Sequence, residues 1–312
     1  MAANDTATAC TSLSLHSSLA IAVNVIIVEA LSILVALMTI IGNMVFIITL
    51  ARTSTLHTPS NVLLGALCLS DLLVGLIVQP IFLSFLIQRQ IGSGYEHLSR
   101  LVIDSLTLHC GISCLIALLI SVDRYAAICH PFRYRRLATC KKCTYTAVIT
   151  VTLWFTYTII LQYVLVNDEV TKDFARQSVV VLAVLSTTVV IVAYVQIYRV
   201  VQKQRRAIVS IRRSSGMQCE VRREMLNRRR ERDNTYTIAI IVGFFFVSYS
   251  PYIIASLFLD EVTSCFLSGQ FVVKIWTGFF MATNSLTNPI IYCIRSSDIK
   301  RAAFRIFRTT PP

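Results

Sequence analysis

Charge is what this 312-residue chain has least of: Asp, Glu, Lys and Arg make up 14% of it, against about 25% in an ordinary soluble domain. With 55% hydrophobic residues and a mean hydropathy of +0.68, too little polar surface is left to face water. That excludes a soluble enzyme and makes a lipid bilayer the solvent. No cleaved signal peptide is expected, because residues 1–24 lack a basic start and a compact apolar stretch. The chain has no internal repeat, no inverted pair of broken spans and no polar filter loop or charged ring, so the marks of transporters and channels are absent. Its ten cysteines do not form a secreted disulfide framework. Cys68, Cys110, Cys114 and Cys293 lie in apolar runs, and Cys129, Cys140, Cys143 and Cys219 sit beside basic segments. Only Cys10 and Cys265 escape both settings, and a bond between them would tie the N-terminus to the last outer loop.

What the chain does have is long apolar runs. A helix needs about 20 apolar residues to cross hydrocarbon, and seven segments supply them. Residues 30–51, 143–167, 177–198, 234–259 and 275–294 carry no charge, 61–87 carries only Asp71, and 101–122 carries only Asp104. Barrel strands would instead be short and alternating, about 10 residues each. The expected fold is therefore an all-α membrane protein: an extracellular N-terminus (1–24), a seven-transmembrane helix bundle (25–294) and a short amphipathic eighth helix with a brief tail (295–312). A basic third cytoplasmic loop (199–234) lies within the bundle.

Most of the 29 basic residues fall in the connections that are cytoplasmic when the N-terminus is outside. They include Arg133, Arg135, Arg136, Lys141 and Lys142, the whole of the third loop, and Arg295, Lys300, Arg301, Arg305 and Arg308 in the tail. The same orientation would expose Asn4, in Asn4-Asp5-Thr6, to glycosylation. The net charge of +13 thus marks a membrane face, and no nucleic-acid partner is expected, since no aromatics interleave with the run Arg228-Arg229-Arg230-Glu231-Arg232.

Asp71 stands in the middle of the second span, where an ionisable group costs about 2.5 to 3.5 kcal/mol unless it meets water or a partner. Asn43, Ser113, Asn284, Ser285 and Asn288 lie at comparable depth. With Asp71 they offer oxygen ligands for one small hard cation; the alternative is ordinary hydrogen bonding between helices. At the inner end of the third span, Arg124 of Asp123-Arg124-Tyr125 is either a snorkelling anchor or, paired with Glu231 across the bundle, a latch on the inner face.

Taken in order, these residues resemble the rhodopsin-like (class A) G-protein-coupled receptors over nearly the whole chain. The likeness is carried by Gly42-Asn43, Leu69-Ser70-Asp71-Leu72, Asp123-Arg124-Tyr125 with Pro131, Trp154, Tyr194, Phe245 with Pro251, and Asn288-Pro289-Ile290-Ile291-Tyr292. It implies a plasma-membrane receptor, not an enzyme, in which an extracellular ligand drives the sixth helix outward. Arg124, Tyr194 and Tyr292 would then rearrange to open a cleft for a heterotrimeric G protein. It also implies sodium at Asp71, Ser113, Asn284, Ser285 and Asn288 in the inactive state. Pro251 and Pro289 each remove a backbone hydrogen bond and permit a pivot or a static kink.

Departures from the family narrow the ligand. The usual staple cysteine of the third helix is replaced by Ser99, residues 167–176 hold no cysteine, Ser186 takes the place of the fifth-span proline, and Tyr249 that of the usual tryptophan. The missing staple together with the missing fifth-span proline resembles melanocortin and related lipid or nucleoside receptors. The aspartate that amine receptors use falls at Leu106 and the retinal lysine at Ala282, so neither a biogenic amine nor retinal is expected. A mostly apolar pocket of Leu106, Cys110, Tyr249, Ile253, Ser256 and Phe279 is expected, with Asp104 and Lys274 at its mouth. The ligand would be a small molecule, a lipid or a peptide. Membrane lipids would meet the amphipathic segment around Ile299, Ala303, Ile306 and Phe307, and arrestin would find its phosphorylation sites in the third loop rather than in the tail. The competing reading is a transporter or ion-conducting protein that uses Asp71 as a charge relay.

Overall fold

The computed structural model describes residues 2–92, 95–160, 169–214, 236, 239–240, 243–244, 247–251, 254, 269–295 and 297–308; for 2–18, 96, 169–176, 179–180, 183, 204–214, 269, 292–295, 297–298 and 307–308 it describes the backbone alone. Among the described residues every regular element is helical. In hydrocarbon no water pairs with backbone amides, so a chain this apolar must satisfy them within each segment.

Helix α1 runs Ala2–Arg52, starting far before the charge-free run 30–51 that forms its C-terminal part. A short 3-10 turn, Ser54–Leu56, leads to α2, Pro59–Leu73. Next comes a π-helical turn, Val74–Val78, in which the Gln79 amide donates to the Val74 carbonyl five residues back, and then α3, Gln79–Ile91. The extra residue of that turn accommodates Pro80, whose ring would otherwise meet a carbonyl of the preceding turn. Gly92, at φ 80°, closes α3 in the left-handed conformation with its amide on the Gln88 carbonyl.

Helix α4 spans Tyr95–Cys129 and α5 spans Pro131–Leu137, with Pro131 in its first turn, where the missing amide costs nothing. Helix α6, Cys140–Ile159, is capped by Thr139, whose hydroxyl accepts from the Lys142 amide. Helix α7, Glu169–Ser214, starts inside the expected second outer loop and continues into the expected third inner one. Helix α8 spans Gly269–Arg295 with Pro289 inside it, and α9 spans Ser297–Arg308. In α9, Ile299 and Ala302 are buried, Ala303 and Ile306 are half-buried, and Lys300, Arg301 and Arg305 face outward.

Among the described residues, four stretches are long and apolar enough to cross a membrane by length and composition: Leu19–Arg52, Pro59–Ile91, His97–Cys129 and Val184–Lys203. Large apolar side chains remain uncovered on them, among them Leu34, Leu37 and Ile41 of α1, and also on α6 at Val148, Ile149 and Leu153. Lipid is the medium in which such faces cost nothing.

The chain divides into two compact units. The first comprises Met1–Ile41, Asp71–Leu106 and Phe245–Leu286; the second comprises Gly42–Ser70, Thr107–Phe244 and Thr287–Pro312. The first is centred on Val28, Val74, Leu86, Ile275 and Met281, and the Trp276 indole of α8 donates to the Asn24 side chain of α1 at 2.9 Å. In the second, Trp154 lies flat against Gly111, where a Cβ would overlap its ring, and its indole N–H donates to the Leu108 carbonyl at 3.0 Å. Gly42 likewise admits Pro289, whose Cγ would stand 2.9 Å from a Cβ there.

Candidate functional site

The end of α4 in the second unit carries a charged cluster built around Asp123. The carboxylate is 8% exposed and has three donors. Ser60, at the start of α2, donates its hydroxyl to Oδ2. Arg124 donates to the same oxygen from Nη2 at 2.6 Å and from Nε at 3.1 Å. The phenol of Tyr134, on α5, donates to Oδ1 at 2.8 Å and lies 3.5 Å from the Ser60 hydroxyl. Burial pushes the Tyr134 phenol up to about 12, and the negative charge of Asp123 beside it acts in the same direction. The phenol therefore stays a donor throughout the physiological range.

The arrangement is a clasp. Adjacent residues on a helix do not face each other, so Arg124 reaches its neighbour only by folding back along the helix surface. Charge-assisted bonds of this kind are about twice as strong as neutral ones. Ser60 and Tyr134 hold Asp123 from two other elements; Glu231 and Phe245 lie outside the described residues. Tyr125 is half-buried and edge-on to His130 at 5.8 Å. Tyr194 is half-buried in α7, within electrostatic reach of Arg124. Asn288 and Pro289 are buried in α8.

The residues expected to hold a cation are all buried. Asp71, Asn284 and Ser285 belong to the first unit, at 0%, 1% and 0% exposure. Ser113 and Asn288 belong to the second, at 0% and 2%. The sequence analysis passed over His109. Its ring lies between two hydroxyls of the second unit, with Ser70 Oγ 3.3 Å from Nδ1 and Ser113 Oγ 3.3 Å from Nε2. One of the expected cation ligands is thus already engaged with an imidazole. The signal was available, since His109 is the one histidine inside an otherwise apolar span.

Of the expected pocket residues, Leu106, Tyr249 and Phe279 are buried in the first unit at 4%, 1% and 7%, and Cys110 is buried in the second. Gly278, beside Phe279, faces Leu106 and Phe82, so that α3, α4 and α8 meet there through apolar groups. Asp104 and Lys274 are half-buried, Pro251 is half-buried, and Ile253 and Ser256 lie outside the described residues. Higher in the same unit, the Arg89 guanidinium stacks 3.9 Å from the centre of the Phe271 ring and 5.2 Å from that of Tyr95, and Gln90 donates to the Glu29 carboxylate at 2.7 Å.

Ser186, in the place of the family proline, keeps a helical geometry that proline would break: its hydroxyl donates to the Leu182 carbonyl at 2.7 Å. The described cysteines Cys68, Cys110, Cys114, Cys129, Cys140 and Cys143 are in the thiol form, outside any disulfide. Cys265 and the side chain of Cys10 lie outside the description, as does the side chain of Asn4.

The family model for 7 transmembrane receptor (rhodopsin family) matches residues 42–292, most of the chain. The protein belongs to that family: it is a G-protein-coupled receptor with the seven-transmembrane helical fold, and not an enzyme. Among similar proteins, trace amine-associated receptor 365 of Petromyzon marinus is 28% identical, over 86% of this chain and 76% of its own length. 5-Hydroxytryptamine receptor 1D of Cavia porcellus is 27% identical, over 90% and 88%. The histamine H2 receptor of Rattus norvegicus is 26% identical, over 87% and 76%.

Proposed function

We propose that this receptor sits in the plasma membrane with its N-terminus outside and its basic connections inside. It converts binding of an extracellular ligand that is not anchored by an aspartate–ammonium pair at the third span into activation of a heterotrimeric G protein. The observation that carries the signalling part is the clasp on Arg124. A guanidinium held by its own neighbour, with Ser60 and Tyr134 supporting that neighbour, is released when the elements bearing them part. Beside it on α5, Phe132 is 90% exposed and flanked by Arg133, Arg135 and Arg136. An aromatic ring presented to water among cations suits the seat of a partner protein.

The ligand reading rests on Leu106. Position 106 is occupied by a buried leucine packed toward Gly278 and Phe82, so an ammonium group would find hydrocarbon where amine receptors place a carboxylate. An uncharged small molecule, lipid or peptide side chain fits that wall better, in keeping with the melanocortin, lipid and nucleoside branch. The names of the similar receptors favour a second reading, an amine held instead by Asp104 two residues earlier on α4. The two readings separate in one screen that measures G-protein activation by trace and biogenic amines and by uncharged lipids and peptides, in wild type and Asp104→Asn. Amine responses lost in the variant establish the second; responses only to uncharged ligands establish the first.

For the signalling mechanism, Arg124→Ala abolishes coupling to a G-protein reporter, while Glu231→Ala raises basal output. No change in either variant overturns the receptor mechanism and favours the transporter reading.

A further inference from the structure

We infer that Cys140 and Cys143 form a redox-active thiol pair, oxidised to a disulfide by peroxide, whose state sets the resting hold on Asp123. The inference rests on the receptor reading only for the side of the membrane and for its functional readout.

The segment Cys140-Lys141-Lys142-Cys143 opens α6. Residues three apart on a helix are neighbours, with Cβ atoms about 5–6 Å apart, and the amides of a first turn have no partners within the helix, so the backbone can close the remaining gap to disulfide geometry. Both thiols are reduced and half-buried. Two lysines separate them, and the Lys142 ammonium folds back to the Leu137 carbonyl at 3.1 Å. The helix start is partly exposed, so a peroxide can reach both thiols, and in a reducing compartment a Cys-x-x-Cys pair is a redox or metal motif rather than a structural bond.

The pair touches the switch by two routes. The Cys140 thiol donates to the His57 carbonyl at 3.5 Å, in the connection three residues before Ser60, which in turn donates to Asp123. The Cys143 side chain is within electrostatic reach of Asp123 and Arg124. In the reaction, the Cys140 thiolate attacks the O–O bond of a hydroperoxide, giving a sulfenic acid and an alkoxide or hydroxide that takes up a proton. The Cys143 thiol then displaces hydroxide from that sulfur, which leaves as water. Two electrons have passed from the sulfurs to the peroxide, and a cytosolic thiol reductant reverses the step. Once in the disulfide, Cys140 no longer donates to His57, the Ser60 segment loosens, and Arg124 is released more readily.

The test uses the full-length receptor in lipid nanodiscs with a purified G protein. Trypsin cuts after Lys141 and Lys142, so the two cysteine fragments of an oxidised sample stay joined only through a disulfide. After peroxide treatment, mass spectrometry without reductant is expected to find the joined fragments, and basal nucleotide exchange is expected to rise about threefold and to return with dithiothreitol. Cys143→Ser is expected to remove the response to peroxide, and Cys140→Ala to raise exchange without it. Fragments that separate after peroxide overturn the thiol pair. Joined fragments with unchanged exchange overturn its link to Asp123. If no sample catalyses exchange, the receptor reading fails, while the digest still decides the chemistry.

Discussion

Asp123 gathers contacts that differ greatly in how visible they are in sequence. Its neighbour Arg124 is visible at once, because the tripeptide marks itself. Ser60, 63 residues away, and Tyr134, 11 residues away across a turn, carry no such mark: a serine after a proline and a tyrosine among arginines are ordinary in loops, and only folding brings them to one carboxylate. Tyr134→Phe removes one of the three donors to Asp123 and is expected to raise basal G-protein activation about threefold, measured as nucleotide exchange without ligand. It should also change the response to alkali. The phenol's folded value, about 12, lies above the ordinary 10, so its neutral form is favoured by folding. That contribution is fully present below pH 10 and is lost as pH rises toward 12. Denaturation followed between pH 9 and 12 should therefore show a loss of stability in wild type that is smaller in Tyr134→Phe; identical profiles would refute the placement of the phenol. At Asp71, the buried carboxylate motivates a proposal of sodium binding, with ligand affinity in wild type lowered by sodium chloride relative to choline chloride and the difference lost in Asp71→Asn. Equal salt responses would count against it.

Among the elements, the spans were legible because hydrocarbon leaves a plain compositional trace, a run without charge. Their ends were not. Helices α1, α4 and α7 all run past their apolar cores, since a helix once nucleated extends through polar residues at little cost, and composition registers only the core. The π turn at Val74–Val78 was hidden because it answers a clash between Pro80 and backbone rather than any side-chain pattern. Trp154 was legible as a family residue, but its physical reason emerges only beside Gly111. Gly111→Ala puts a methyl group into the Trp154 ring and is expected to cost about 1–3 kcal/mol, seen as a lower melting temperature of the purified receptor. Trp154→Phe removes the indole bond to the Leu108 carbonyl and is expected to cost about 1 kcal/mol. An unchanged melting temperature in both variants would show that α4 and α6 are held together elsewhere.

For the molecule as a whole, the residues expected to line the pocket, Leu106, Tyr249 and Phe279, belong to the first compact unit, and the Asp123 cluster with α5 belongs to the second. Receptor class was readable because the motifs recur in order on separate spans. The ligand was not, because the feature that best identifies an amine receptor is replaced here by Leu106, and an apolar wall selects less sharply than a charge. The central claim is that Asp123 restrains Arg124 in the resting receptor. It is tested most directly by the rate at which Asp123→Asn, purified without ligand, catalyses nucleotide exchange on a G protein. The clasp predicts exchange about fivefold or more above wild type, abolished again when Arg124→Ala is added; a rate equal to or below that of wild type would contradict it.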